Sequence, residues 1–443
     1  MPQAYRIIAA LAVGLFGGAL IMFVAPSYAH WLSSLLDPVG KLWLNGLQMT
    51  IVPLVFALLV TGIAASAEAA RANRIAARAM LAFFILLSVS AAVAALVAGS
   101  LLKLFPLPAE AALALSGEAR AAGVPALPSI SDMITSVVPT NPIHAAASSA
   151  FLPLIVFALV FAFAASRLPG PGRQLLTGFF QALAETMLIV IGWVLNIAPI
   201  GVFALAFGVA SHAGGAIVGA LVHYLLVVSS TGVIVALLAL PVARLAGGVR
   251  LSDYAKAMLP PAAVACSTQS SLASLPTMLI AAERLGAPTA PTRMILPLAV
   301  AMFRFTGPAM NLAVAMYVAH ACGISLTPWQ ICIGIAVAAV TALGSVSLPG
   351  TISFISSIAP IALAMGVPVA PLALLVAVET LPDIVRTVGN VLMDVAVTKA
   401  VTRRLPDEVA TSPISECGRN AVEHGDDKGS GYGTLGAIIE HAV

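Results

Sequence analysis

Apolar runs long enough to cross a bilayer recur along this chain from one end to the other, and they limit what it can fold into. A helix that spans the hydrocarbon core needs about 20 mostly apolar residues. Such runs lie near 5–24, 40–65, 79–104, 132–166, 174–210 and 214–245, the fourth broken by "VVPTNPIH". Beyond residue 250 the runs become interrupted. Residues 255–281 hold "CSTQSSLASLP", 291–319 follow, 328–366 hold "GSVSLPG", and 370–400 form the last run. The chain is 60% hydrophobic and only 9% charged, whereas soluble domains carry roughly 25% charged residues. The expected fold is an all-α polytopic membrane protein.

Several classes are excluded at once. The net charge of +3 is small and comes from loops, so no nucleic-acid partner is expected. Cys266, Cys322, Cys332 and Cys417 show no CxxC spacing, which argues against a disulfide scaffold or a zinc site. No HExxH or phosphate loop is present, and no helix pairs a nucleophile with a base. An enzyme is not expected, and no cofactor is implied. "MPQAYR" leads into a run of spanning length without a clean cleavage site, so it reads as an uncleaved first helix. Residues 403–443 are polar and Gly-rich and read as a disordered cytoplasmic tail.

Basic residues set the orientation. With a cytoplasmic N-terminus, Arg71, Arg74, Arg78, Arg167, Arg173, Arg244, Arg250 and Lys256 all fall inside, as do Lys399, Arg403 and Arg404. This works to the end of the chain if each interrupted segment enters and leaves on one side. The prediction is eight transmembrane helices plus two re-entrant hairpins, with both termini cytoplasmic. "SLP" occurs at 274–276 and again at 347–349, and each hairpin precedes one full span. Two such units of opposite orientation form an inverted repeat, whose interrupted segments meet near the midplane.

The last run carries "ETLPDIVRTVGNVLMD". On a helix, Arg386, Glu379, Asn390, Asp383 and Asp394 fall within an arc of about 80°. Charge near the bilayer centre costs about 2.5–3.5 kcal/mol per residue on insertion scales, so the stripe must face protein or water. One explanation is a structural Asp383–Arg386 pair, but that leaves Glu379, Asn390 and Asp394 unexplained. The other is a binding site. "STQSS" at 267–271 offers hydroxyls and unwound N–H groups suited to carboxylates. "GSVSLPG" at 344–350 has the Gly and Pro a gate needs. His223 reads as a helix–helix contact and His144 as a loop residue.

The pattern D-x-x-R-T-x-x-N-x-x-x-D in "DIVRTVGNVLMD" resembles the dicarboxylate/amino acid:cation symporter family, the glutamate transporter homologues. "QMTIVPLVFALLVTGI", "VVPTNPIHA", "APIGVFAL" and "SSLASLP" are similar to family signatures, and the likeness covers about residues 5–402. The resemblance implies a multi-pass homotrimer in a bacterial inner membrane. Residues 1–402 would form the membrane domain, with a scaffold of about 1–78 and 130–210. A transport domain of about 79–105 and 214–402 would move against it like an elevator. Carried over, Asp383 would take the substrate's amino group and Arg386 its distal carboxylate, with Thr387 and Asn390 completing the contacts. Ser270 and Ser271 would meet carboxylate, Leu348 would help close the pocket, and Asp394 would be a cation ligand, with Asn390 beside it should sodium bind. Arg also offers a planar fork suited to a carboxylate, and an acid one turn away can pair with an ammonium.

One motif departs. Relatives carry N-M-D-G-T in the seventh helix, where this chain reads Phe303, Arg304, Phe305, Thr306 and Gly307. Hard cations need oxygen ligands, and Phe supplies none. The expectation is that Arg304 replaces a bound cation, pairing with Asp394 or another acid, and that protons drive transport through Glu379. The coupling ion stays open between H⁺ and Na⁺, and an exchanger is a further possibility. The leading reading is a symporter for glutamate or aspartate, with C4-dicarboxylate transport second. An anion channel and a transport-dead sensor are the remaining alternatives.

Overall fold

The computed structural model describes residues 3–72, 74–113, 115, 138–148, 150–213, 216–344 and 350–403. Leu348 and the tail from residue 404 lie outside them. Among the described residues there is no strand; every regular element is helical. Among the described residues, six helical stretches are long and apolar enough to cross a membrane. The surface is apolar, with Phe16, Leu96 and Trp193 each about two-thirds or more exposed, while Glu379, Asp383, Arg386 and Asp394 are 0–4% exposed. Oil outside and charge inside is the inverse of a soluble domain, as lipid requires.

Helices α1 (Gln3–Val24) and α2 (Pro26–Gln48) precede α3 (Ile51–Ala72) and α4 (Arg74–Leu104). The single span expected over 40–65 is thus two helices meeting at Met49–Thr50. Pro53 explains the break: it has no N–H to give the carbonyl of Met49, so a helix must restart just before it. After α5 (Pro142–Ala147) and α6 (Phe151–Ala165), the span expected over 174–210 also divides, into α7 (Gly170–Asn196) and α8 (Ala198–Ala213). Pro199 marks that corner. Helix α8 packs on α1 at very short range. A Cβ at Gly14 or Gly18 would lie 2.8 or 2.5 Å from the carbonyl oxygens of Phe203 and Phe207, so this small-xxx-small pair lets the backbones approach.

The second half builds the site. Helix α9 (Ala216–Ala236) is followed by α10 (Leu251–Thr268) and α11 (Ser271–Arg284), which pack on each other. The chain reverses through Gln269, in the left-handed region at φ 52°, and Ser270 caps α11 by accepting from Ala273 N–H at 3.2 Å. The seventh expected span is interrupted: α12 (Thr289–Met302) ends, Phe303–Phe305 are unwound, and α13 (Thr306–Ala321) begins. Helices α14 (Pro328–Gly344) and α15 (Gly350–Ala364) also pack together. The final run tightens into a 3-10 turn at Val376–Val378 before α17 (Thr380–Thr402), with α16 (Leu372–Leu375) ahead of it. Glu379 therefore sits at the N-cap position of α17, without a side-chain capping bond, and not within a continuous helix. Helices α13 and α17 occupy the centre, walled by α4, α9, α10, α11 and α12.

Candidate functional site

Arg386 is the hub. Its Nη1 donates to Asp383 Oδ1 at 3.0 Å, one turn earlier on α17. The same nitrogen lies 2.6 Å from Glu379 Oε1, a charge contact without the alignment of a hydrogen bond. Glu379 Oε2 accepts from Tyr224 O–H of α9 at 3.0 Å. Two acids thus hold one nitrogen. Nε and Nη2, which form the side-on fork of the guanidinium, are buried with no hydrogen-bond partner among the described residues. Such donors are costly to leave unmade, and together they match the two oxygens of a carboxylate.

The break before α13 is tied to α17 by a side chain the sequence reading did not single out. Thr306 N–H donates to Asn390 Oδ1 at 2.9 Å, and its hydroxyl lies 2.7 Å from the same oxygen and 2.6 Å from the Arg386 carbonyl. Asn390 Oδ1 is therefore occupied as the cap of α13. Thr387 turns its hydroxyl back to the Asp383 carbonyl at 2.9 Å. Ser271, the first residue of α11, is buried, whereas Ser270 is half-exposed at its cap position.

The aromatic residues of the departing motif fill space. Phe303 stacks on Phe83 of α4 with centroids 4.5 Å apart and also meets Phe305 at 5.8 Å; all three rings are fully buried. Two carbonyls beside the break accept hydrogen bonds, Phe305 O from the Ser90 hydroxyl at 2.5 Å and Arg304 O from Gly307 N–H at 2.9 Å. Arg304 shares a cavity wall with Arg386. Asp383 and Asp394, both acids of α17, attract Arg304, and neither Asp394 oxygen has a hydrogen-bond partner among the described residues. The Asp394 carboxylate is buried.

His223 is the helix contact expected of it. Its Nε2 lies 2.8 Å from the Phe105 carbonyl and its Nδ1 3.4 Å from Tyr317 O–H of α13. Tyr224, its neighbour, carried one readable signal, a phenol inside an apolar span. Thr306 carried another, as a hydroxyl beside the altered motif.

The sequence profile of the sodium:dicarboxylate symporter family matches residues 4–404. The chain belongs to the sodium:dicarboxylate symporter family. It is 28% identical over 394 residues to the proton/glutamate-aspartate symporter of Escherichia coli K12, covering 88% of this chain and 89% of that protein. It is 28% identical over 391 residues to the proton/sodium-glutamate symport protein of Bacillus subtilis 168, covering 83% and 86%. With the C4-dicarboxylate transport protein of Deinococcus deserti it shares 27% over 408 residues, covering 88% and 87%. Family membership and the apolar helices make this a multi-pass membrane protein, in a family of symporters and not of enzymes.

Proposed function

We propose that this member of the family is a secondary active symporter that imports small dicarboxylates, acidic amino acids such as glutamate and aspartate foremost. The carrying observation is Arg386: a buried guanidinium whose Nη1 is fixed by two acids while its Nε–Nη2 fork has no partner among the described residues. Relatives named for glutamate, aspartate and C4-dicarboxylates support the same substrate class. On this reading Arg386 takes a carboxylate, Asp383 an ammonium, and Thr387, Asn390, Ser270, Ser271 and Leu348 complete the pocket. A C4-dicarboxylate is the second reading, favoured by Asp383 being already engaged by Arg386 at 3.0 Å. Asp383→Ala then separates the two: an amino-acid carrier loses its substrate and a dicarboxylate carrier keeps it.

The finer architecture belongs to the same proposal. It comprises eight spans with two re-entrant hairpins in inverted repeats, a moving domain of about 79–105 and 214–402 on a scaffold of about 1–78 and 130–210, a homotrimer, and cytoplasmic termini at a bacterial inner membrane. Coupling is proposed to run on protons through Glu379 and not on sodium in the usual way. The buried rings of Phe303 and Phe305 and the hydrogen-bonded carbonyls beside them support that choice. Arg304 then stands as a tethered positive charge, and Asp394 as the acid that meets a cation.

Uptake of radiolabelled L-aspartate and L-glutamate into proteoliposomes, under separate H⁺ and Na⁺ gradients and with preloaded substrate, tests this. Uptake driven by H⁺ alone is expected. Uptake driven by Na⁺ refutes the coupling assignment, uptake only into preloaded vesicles replaces symport by exchange, and binding without any flux makes the protein a sensor.

A further inference from the structure

The cavity beside Arg386 has an unusual wall. It is a cleft partly open to the outside, with only about 20 Å³ of enclosed space in this closed arrangement. Arg304 enters from the unwound stretch, Arg386 from α17, Asn311 from α13, Thr341 from α14, and Phe354 and Ser357 from α15. Two guanidiniums face one space, and among the described residues no carboxylate lines it. Asp383 and Asp394 attract Arg304 without being part of the wall, and Arg386 repels it. The neutral groups do not change the sign. Thr341 spends its proton on the Val337 carbonyl at 2.8 Å, so it offers lone pairs only.

A wall of this composition selects for charge as well as shape. Like charges sharing a poorly solvated space repel, and an anion between them lowers the energy of both. One carboxylate satisfies only one guanidinium fork. We infer that Arg304 is a second carboxylate anchor, so that the cavity takes a small dianion with one carboxylate on Arg386 and the other on Arg304. The inference rests on the proposed reading of this cavity as the substrate site and goes beyond it by assigning the second anchor. Two carboxylates are common to C4-diacids and to glutamate and aspartate, and Asp383, outside the wall and bonded to Arg386 Nη1, stands one turn away for the amino group of the latter.

The test is binding to the purified full chain in nanodiscs, measured calorimetrically, followed by uptake in proteoliposomes. The panel pairs succinate with succinamate and L-aspartate with each of its two monoamides. In the wild type, converting either carboxylate to an amide should weaken binding about 10- to 100-fold, the worth of a charge-assisted contact. Tolerance of an amide at one end, within about threefold, overturns two-anchor binding without any variant. Arg304→Gln should weaken succinate about 10- to 100-fold and leave succinamate nearly unchanged, and Arg304→Lys should recover part of the loss. Equal weakening of diacid and monoamide means a structural arginine and overturns the inference. Loss of uptake with the binding pattern intact refutes symport alone, uptake with an unchanged diacid preference refutes the anchor alone, and absence of all binding refutes both.

Discussion

Replacing Phe303 by Asn tests whether the seventh-helix departure removed a sodium site or merely covered one. Phe303 is fully buried and stacked on Phe83 with centroids 4.5 Å apart and planes 14° from parallel. Truncating a buried Phe costs about 3–5 kcal/mol, which includes a stacked pair worth about 0.5–1.5. An amide left there without partners adds about 1–3. The Asn variant should therefore lose roughly 5 kcal/mol, a large share of an ordinary stability of about 5–15. Phe303→Leu, which keeps most of the apolar volume, should lose only about 1–2.

The assay is the fraction of monodisperse protein after heating, in sodium chloride against choline chloride. The Asn variant should fail at clearly lower temperature than the Leu variant, with no difference between the salts. Equal stability of the two variants would show that the ring stack carries little. Specific rescue of the Asn variant by Na⁺ would refute the sodium-independent reading, because it requires oxygen ligands assembled behind the ring.

Two further expectations use the same heating assay. Asn390→Ala leaves the Thr306 N–H without its acceptor, while the hydroxyl keeps the Arg386 carbonyl, and should cost about 1–3 kcal/mol; no loss at all would refute the capping role. Tyr224→Phe removes the donor to Glu379 Oε2 and should cost about 1.5–3 kcal/mol. Combined with Glu379→Gln it should be less than additive, and full additivity would mean that the bond carries no coupling.

Membrane-spanning runs were legible because lipid demands uninterrupted apolar length, and the polar stripe because one helix repeats every 3.6 residues. Helix starts were written less plainly. Pro53, Pro153, Pro199, Pro308 and Pro382 each follow a helix start by one or two residues, where a missing N–H costs nothing. Pro308 in particular marks the restart after the unwound Phe303–Phe305, a stretch with no Gly or Pro of its own. The rule is blurred because Pro38, Pro260, Pro261, Pro276, Pro297 and Pro360 lie inside helices. Residues near Pro26 and Pro38 also carry Ser33, Asp37 and Lys41, which hid α2 from a search for apolar runs. The partners of the stripe were less legible still. Tyr224 meets Glu379 across 155 positions and Thr306 meets Asn390 across 84, and helical periodicity says nothing about contacts between helices.

The buried charges carry a consequence for coupling on the proposed reading. Glu379, Asp383 and Asp394 face Arg304 and Arg386, a formal excess of one negative charge. A dianion adds two more, in a space where unbalanced charge is costly. The two arginines meet its carboxylates, but they cannot also neutralise three acids. Closing over the substrate therefore requires positive charge to arrive with it, and Asp394, whose two oxygens have no hydrogen-bond partner among the described residues, is an acid that can receive it. Glu379, the proposed proton carrier, is the other: a proton there removes one negative charge, and Arg386 and Tyr224 hold its two oxygens in place. Symport in such a site is an electrostatic condition on closure: empty, the carrier carries one excess charge, and loaded alone it would carry two with glutamate or aspartate, whose ammonium offsets one carboxylate, and three with a C4-dicarboxylate. Arg304 lowers that excess by one relative to the same chain carrying Arg304→Met, so the variant should need more positive charge to close over the same substrate.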